Sequence, residues 1–142
     1  MGKVAVIVAA TAGLTLLAFP ALAETMMFKA PLTASEEVPP NQSKATGNIE
    51  ATYDTATKKL SWKGSYSGLT GPETAAHFHG PAGPGKNAGV VVPVDAAKSP
   101  FEGSATLTEP QAADLTKGEW YFNVHTAENK GGEIRGQMVK GK

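Results

Sequence analysis

The sequence predicts an all-β fold: an antiparallel, Greek-key-like sandwich or barrel of about eight strands with one short helix. Three observations carry this expectation. The chain holds 16 glycines and 10 prolines, which cut it into short runs. Within those runs β-branched residues alternate with polar ones. The segment 59–66 keeps strict period two, with Leu60, Trp62, Gly64 and Tyr66 on one face and Ser61, Lys63 and Ser65 on the other.

The elements follow in order. Residues 26–32 read as a first strand, then a polar, proline-bearing loop over 33–43 containing Glu36-Glu37-Val38-Pro39-Pro40. Residues 45–53 and 59–66 read as two strands of a hairpin, because Asp54-Thr55-Ala56-Thr57-Lys58 is rich in turn formers. Residues 67–72 form a loop and 75–79 a strand. The glycine- and proline-rich stretch 80–89 is a second loop. It lacks the Gly-Lys-Ser/Thr ending and following helix of a phosphate cradle. Short strands are expected over 90–94 and 101–107. Thr108-Glu109-Pro110-Gln111 has the form of a capping box with proline in the first turn, and Lys117-Gly118 supplies a stop. A short helix therefore fits between them. Residues 119–126 and 132–139 read as the last strands, joined by the turn-rich stretch 127–131.

Residues 1–23 have the layout of a secretory signal peptide. Lys3 supplies the positive start, residues 4–19 are mostly apolar, and Ala21-Leu22-Ala23 is a small-x-small cleavage pattern. Cleavage before Glu24 is expected, which leaves 24–142 as one domain in the periplasm or outside the cell. The 13 basic and 13 acidic residues cancel, and losing Lys3 leaves 12 against 13, a net charge of −1. With no basic stripe, nucleic acid is a poor partner. With no cysteine, the exported fold has no disulfide to rely on. After cleavage no membrane attachment is expected, and a monomer is the simplest state. Asn41-Gln42-Ser43 fits a glycosylation acceptor, relevant only in a eukaryotic secretory host.

All three histidines fall in two predicted strands. His77 and His79 have H-x-H spacing, so they share a face about 6.5–7 Å apart at Cα. His125 belongs to another strand, in Trp120-Tyr121-Phe122-Asn123-Val124-His125. Alternation puts Phe78, Trp120, Phe122 and Val124 toward the core, with Ile134, Gly136 and Met138. The opposite face collects His77, His79, His125, Asn123, Glu133, Arg135 and Gln137. Such a face is either a functional patch or an ordinary solvated surface.

Neutral imidazoles ligate zinc, copper, iron and nickel, and three of them leave an open position. The same histidines could instead hydrogen-bond neighbouring loops, or contact a ligand without metal. Asn123, Glu133 and Arg135 are candidates for orienting the ligands, and Arg135 for attracting an anion. For Glu133 and Arg135 a surface cross-strand ion pair is the simpler expectation. Lying off the core face, the histidines should contribute little to stability. No catalytic residue is identifiable, and no serine has an elbow motif around it.

The motifs F-K-A-P-L-T-A-S-E-E-V-P-P from Phe28, S-G-L from Ser67, A-A-H-F-H-G-P-A-G from Ala75, L-T from Leu107, W-Y-F-N-V-H-T-A from Trp120 and G-G-E-I-R-G-Q from Gly131 resemble those of CHRD-domain proteins. The resemblance spans nearly all of 24–142 in order. It implies an all-β domain and brings no settled activity. His77, His79, His125, Glu133 and Arg135 all fall within these motifs. A looser likeness is to copper–zinc superoxide dismutases, which share an H-x-H strand and a later V-H segment. The chain lacks a fourth copper histidine, the bridging histidine, the zinc ligands and the disulfide, so dismutase-like redox activity is a distant alternative.

The leading expectation is an exported β-sandwich that binds a transition metal through His77, His79 and His125. Copper stands ahead of zinc because the ligands are imidazoles without thiolate. The alternative is a non-catalytic module whose loops 33–43 and 80–89 contact a protein or glycan.

Overall fold

The computed structural model describes residues 2, 5, 9–17 and 22–142. Of the expected leader, residues 1, 3, 4, 6–8 and 18–21 lie outside the described residues, Lys3 and Ala21 among them. Among the described residues no helix is long and apolar enough to cross a membrane.

The fold is all-β and antiparallel, as the alternation requires. Its strands are β1 (Thr25–Thr33), β2 (Thr46–Asp54), β3 (Lys59–Ser67), β4 (Glu73–His79), β5 (Val90–Val94), β6 (Phe101–Thr106), β7 (Tyr121–Thr126), β8 (Ile134–Gln137) and β9 (Val139–Lys140). One helix, α1 (Glu109–Thr116), lies between β6 and β7. They form one continuous sheet in the order β5-β4-β7-β8-β1-β2-β3-β6, with β9 also paired to β1. The sheet rolls over on itself into a nearly closed barrel. Trp62 of β3 meets Phe78 of β4 at 5.4 Å between ring centroids, and Phe101 of β6 stacks on Phe122 of β7 at 5.7 Å.

Local chemistry explains the joints. In the β2–β3 hairpin the Asp54 carboxylate accepts the N–H groups of Ala56 and Thr57, and the following Lys58 takes φ 61°. At α1 the Thr108 hydroxyl accepts from Gln111 N while the Gln111 side chain accepts from Thr108 N, the reciprocal cap read from the sequence. Leu115 is the side chain this helix buries in the core.

The expected final strand 132–139 is instead two. β8 pairs with β1 at Thr33↔Arg135, and β9 pairs at Lys29↔Val139 in the same register. That register sets Pro31 opposite Gln137. Proline has no N–H to offer, so the ladder opens there, while Met138 N continues the register with β7 on the other side by donating to Trp120 O. The core faces fall as alternation predicts: Phe78, Trp120, Phe122, Val124, Ile134 and Met138 have no exposed surface.

Candidate metal centre

β4 and β7 are adjacent, with Ala75↔His125, His77↔Asn123 and His79↔Tyr121 in register. This places all three imidazoles on the outer face, and each can offer a nitrogen within 4.8 Å of the others. His77 Nδ1 lies 3.2 Å from His125 Nε2. His125 Nδ1 donates to Lys130 O at 2.8 Å, which fixes the tautomer and leaves its Nε2 lone pair facing His77. His79 Nδ1 lies 2.9 Å from Ala88 O and its Nε2 lies 3.0 Å from Asn123 Oδ1, so each nitrogen of this ring faces an acceptor. His77 and His125 are half-buried, whereas His79 is buried.

Burial lowers the pKa of His77, and the neighbouring His125 and His79 lower it further. Burial also lowers that of His79, against the opposing pull of its hydrogen bonds. His77 and His79 are therefore biased toward the neutral form, the form that ligates a metal.

His79 is also wedged from the side. Its ring stacks on Tyr121 at 4.8 Å with an interplanar angle of 1°. The Arg135 guanidinium lies 3.4 Å above the Tyr121 ring centroid. The Tyr121 hydroxyl accepts from Ala88 N at 3.0 Å and approaches Ala88 O at 3.1 Å, so Tyr121 and His79 grip the same residue. Parity places Tyr121 on the face of Asn123 and His125, but the sequence gives it no contact with His79. These contacts pack His79, so its loss is expected to cost stability, where parity alone predicts that the histidines contribute little.

Asn123, Glu133 and Arg135 lie on the same face but have different partners. Asn123 Oδ1 is 3.0 Å from His79 Nε2. Glu133 touches no imidazole. Its carboxylate accepts from the Ser43 hydroxyl at 2.9 Å, Thr70 N at 3.0 Å, the Thr70 hydroxyl, the Thr126 hydroxyl at 2.8 Å and Asn129 Nδ2 at 3.0 Å. Burial would raise its carboxyl, but the hydrogen bonds from Thr70, Thr126 and Ser43 outweigh it and bring the pKa down to about 2. Arg135 donates to Lys86 O at 2.6 Å and Asn87 Oδ1 at 3.0 Å.

The expected ion pair is thus a correction. Neither Glu133 nor Arg135 is in one; the pairs within 4 Å among the described residues are Lys58–Glu109 and Lys63–Glu50. Nor is Arg135 open to a solvent anion, since it is 1% exposed beneath the loop 80–89. The face is covered rather than solvated. Loop 80–89 is fastened by Arg135 and by Gln137, whose amide donates to Ala82 O. Loop 33–43 is fastened by Glu133 and Asn41. The Asn41 amide nitrogen, the atom a glycan would occupy, donates to Glu133 O at 3.0 Å.

One further residue of this face was invisible in the sequence. Glu37 is 4% exposed, and its Oε1 has no hydrogen-bond partner. Burial pushes its pKa up to about 7, against weaker downward pulls from the Arg135 charge and the Asn123 amide. Its carboxylate presses on Gly132, which has φ +125°. A Cβ there would collide with Glu37 Oε1 and lie 2.6 Å from Asn123 Nδ2, so both the backbone and the space demand glycine.

The family model of the CHRD domain matches residues 28–138. No match was found among the curated proteins, and none among the solved structures.

Proposed function

The chain belongs to the CHRD-domain family, and from that premise and the geometry of its histidines we propose that it is an exported protein that binds one transition-metal ion, Cu(II) by preference, through His77, His79 and His125. The observation that carries this reading is the convergence of three imidazole nitrogens within 4.8 Å, two of the rings being anchored through Nδ1 on backbone carbonyls. Such anchoring fixes which nitrogen is offered and makes it more basic.

The spacing suits the bond lengths. Metal–nitrogen bonds of about 2.0–2.1 Å keep adjacent ligand nitrogens about 2.9–3.4 Å apart. His77 Nδ1 and His125 Nε2 meet that at 3.2 Å once the shared proton moves to His77 Nε2. Nitrogens across one ion can be no more than about 4.2 Å apart, so the widest pair would close by roughly half an ångström. Asn123 supports the third position. With Nδ1 donating, neutral His79 turns its Nε2 lone pair toward Asn123 Oδ1, two acceptors 3.0 Å apart. A cation bound at Nε2 relieves that conflict. Imidazole ligands without thiolate, together with the Irving–Williams order, favour copper over zinc.

Calorimetric titration of the purified domain with Cu(II) tests the reading. One ion per chain is expected, with a large loss of affinity on each single change His77→Ala, His79→Ala or His125→Ala. Protons compete for the same nitrogens. Because burial lowers His77 and His79, uptake should persist to a pH below the ordinary imidazole value of 6.5 before it fails. Absence of uptake, or uptake unchanged by loss of His125, would overturn the three-histidine site.

A further inference from the structure

The side chain that meets His79 Nε2 is an amide, and which end it presents decides whether that nitrogen is available. Asn123 Nδ2 is directed away from His79, toward Gly131 O at 3.5 Å. It also lies beside the Glu37 carboxylate, both groups packing on Gly132. Turning the amide over would set Oδ1 against the Gly131 carbonyl and the Glu37 carboxylate, acceptors facing an acceptor. It would also aim Nδ2 at His79, where an N–H would cap the Nε2 lone pair. Gly131 O alone is a weak anchor at that distance. Glu37 is the stronger one. It is buried, its Oε1 has no hydrogen-bond partner among the described residues, and the positive charge acting on it is that of Arg135. Arg135 is itself committed to loop 80–89.

We propose that Glu37 is a positioning residue for His79: it holds the Asn123 amide nitrogen on its own side, so that the imidazole faces an oxygen and keeps Nε2 uncapped for a metal ion. The inference rests on the metal reading for its consequence but not for its geometry, which belongs to the protein alone. It gives a role to a buried carboxylate whose Oε1 has no hydrogen-bond partner among the described residues. It also explains why Gly132 admits both groups at one Cα.

The test has one arm without metal and one with it. At pH 8, through-hydrogen-bond nitrogen–nitrogen coupling between Asn123 Nδ2 and His79 Nε2 is measured by NMR in the metal-free protein. It should be absent in the wild type and present in Glu37→Leu, where the amide is free to turn. Coupling already present in the wild type, or absent from the variant, overturns the proposal. In the second arm Glu37→Leu should bind Cu(II) about tenfold or more weakly, the size of effect expected when a group supporting a ligand is lost. Adding Asn123→Ala removes the capping amide, so the double variant should bind Cu(II) as Asn123→Ala alone does and more tightly than Glu37→Leu, a rescue that a merely structural defect would not show. A double variant as weak as Glu37→Leu overturns the proposal. If the wild type takes up no Cu(II), the metal reading fails, and the coupling alone decides the role of Glu37.

Discussion

The outer faces of β2–β3–β6 and of β4–β7–β8 are written in the same alternating pattern, yet only the first is a surface. On β2–β3–β6 the outward residues Glu50, Lys63 and Glu102 stand in solvent, and the Lys63–Glu50 pair is loose at 3.8 Å. On β4–β7–β8 the outward Asn123 and Arg135, with Glu133 just before β8, are 3%, 1% and 0% exposed, and His77 and His125 are half-buried. The difference comes from the connections. The β2–β3 hairpin turns in four residues and leaves nothing to fold back. The long segments after β1 and β4, with the β3–β4 connection that carries Thr70, return across the other face, bringing hydroxyls, amides and carbonyls that match Glu133 and Arg135. Alternation therefore sets which face a side chain takes. Whether that face is wet depends on what the loops carry to it.

The largest expected effect tests this contrast at Glu133. Glu133→Ala strands five donors that now converge on one carboxylate. Bonds to a charged group contribute about 1.5–3 kcal/mol each but do not add fully, so a loss of about 3–5 kcal/mol is expected. Phe122→Ala should cost about the same, 3–5 kcal/mol. Urea denaturation of the two variants makes the comparison. A Glu133→Ala midpoint close to wild type would mean that the covered face behaves like the solvated one.

The pH dependence of stability sharpens the contrast within the covered face. Glu133 is depressed from 4.5 to about 2, so its contribution is full above the unfolded value of 4.5 and is lost as pH falls toward 2. Glu37 is raised from 4.5 to about 7, so its contribution is full below 4.5 and is lost as pH rises through 7. Each displacement corresponds to roughly 3 kcal/mol. Stability from these two groups should peak near pH 4.5, and Glu37→Gln should gain on wild type as pH rises from 5 to 8. Parallel profiles for the two proteins across that interval would refute the assignment.

The smallest effect belongs to the solvated face. Lys63→Ala should change stability by no more than about 0.5 kcal/mol, because an exposed pair is screened and its side chains lose entropy on pairing. A larger loss in the same urea experiment would show that β2–β3–β6 is also more than a wetted surface.

The strands, the hairpin, the capping box and the shared face of the three histidines were legible because each depends on periods of two or four residues. The break at Pro31 was not, since it needs the pairing of β1 with a strand about 100 residues away. Glu133 and Arg135 share a face in the sequence and suggest an ion pair. The chain instead offers each of them different partners from different loops. Glu37 stands beside Glu36 in one loop, and nothing local says that one is exposed and the other buried.

By itself, then, the sequence determined the class of fold, the inward set of Phe78, Trp120, Phe122 and Val124, and the presence of three imidazoles on the reverse side. Those follow from side-chain parity, which a strand imposes wherever it lies. Only the tertiary structure decided that the reverse side is enclosed, that Tyr121 and Arg135 wedge His79, and that Glu37 reaches Asn123. Those depend on where long loops land, and a loop lands where its donors and acceptors find buried partners, which no local period encodes.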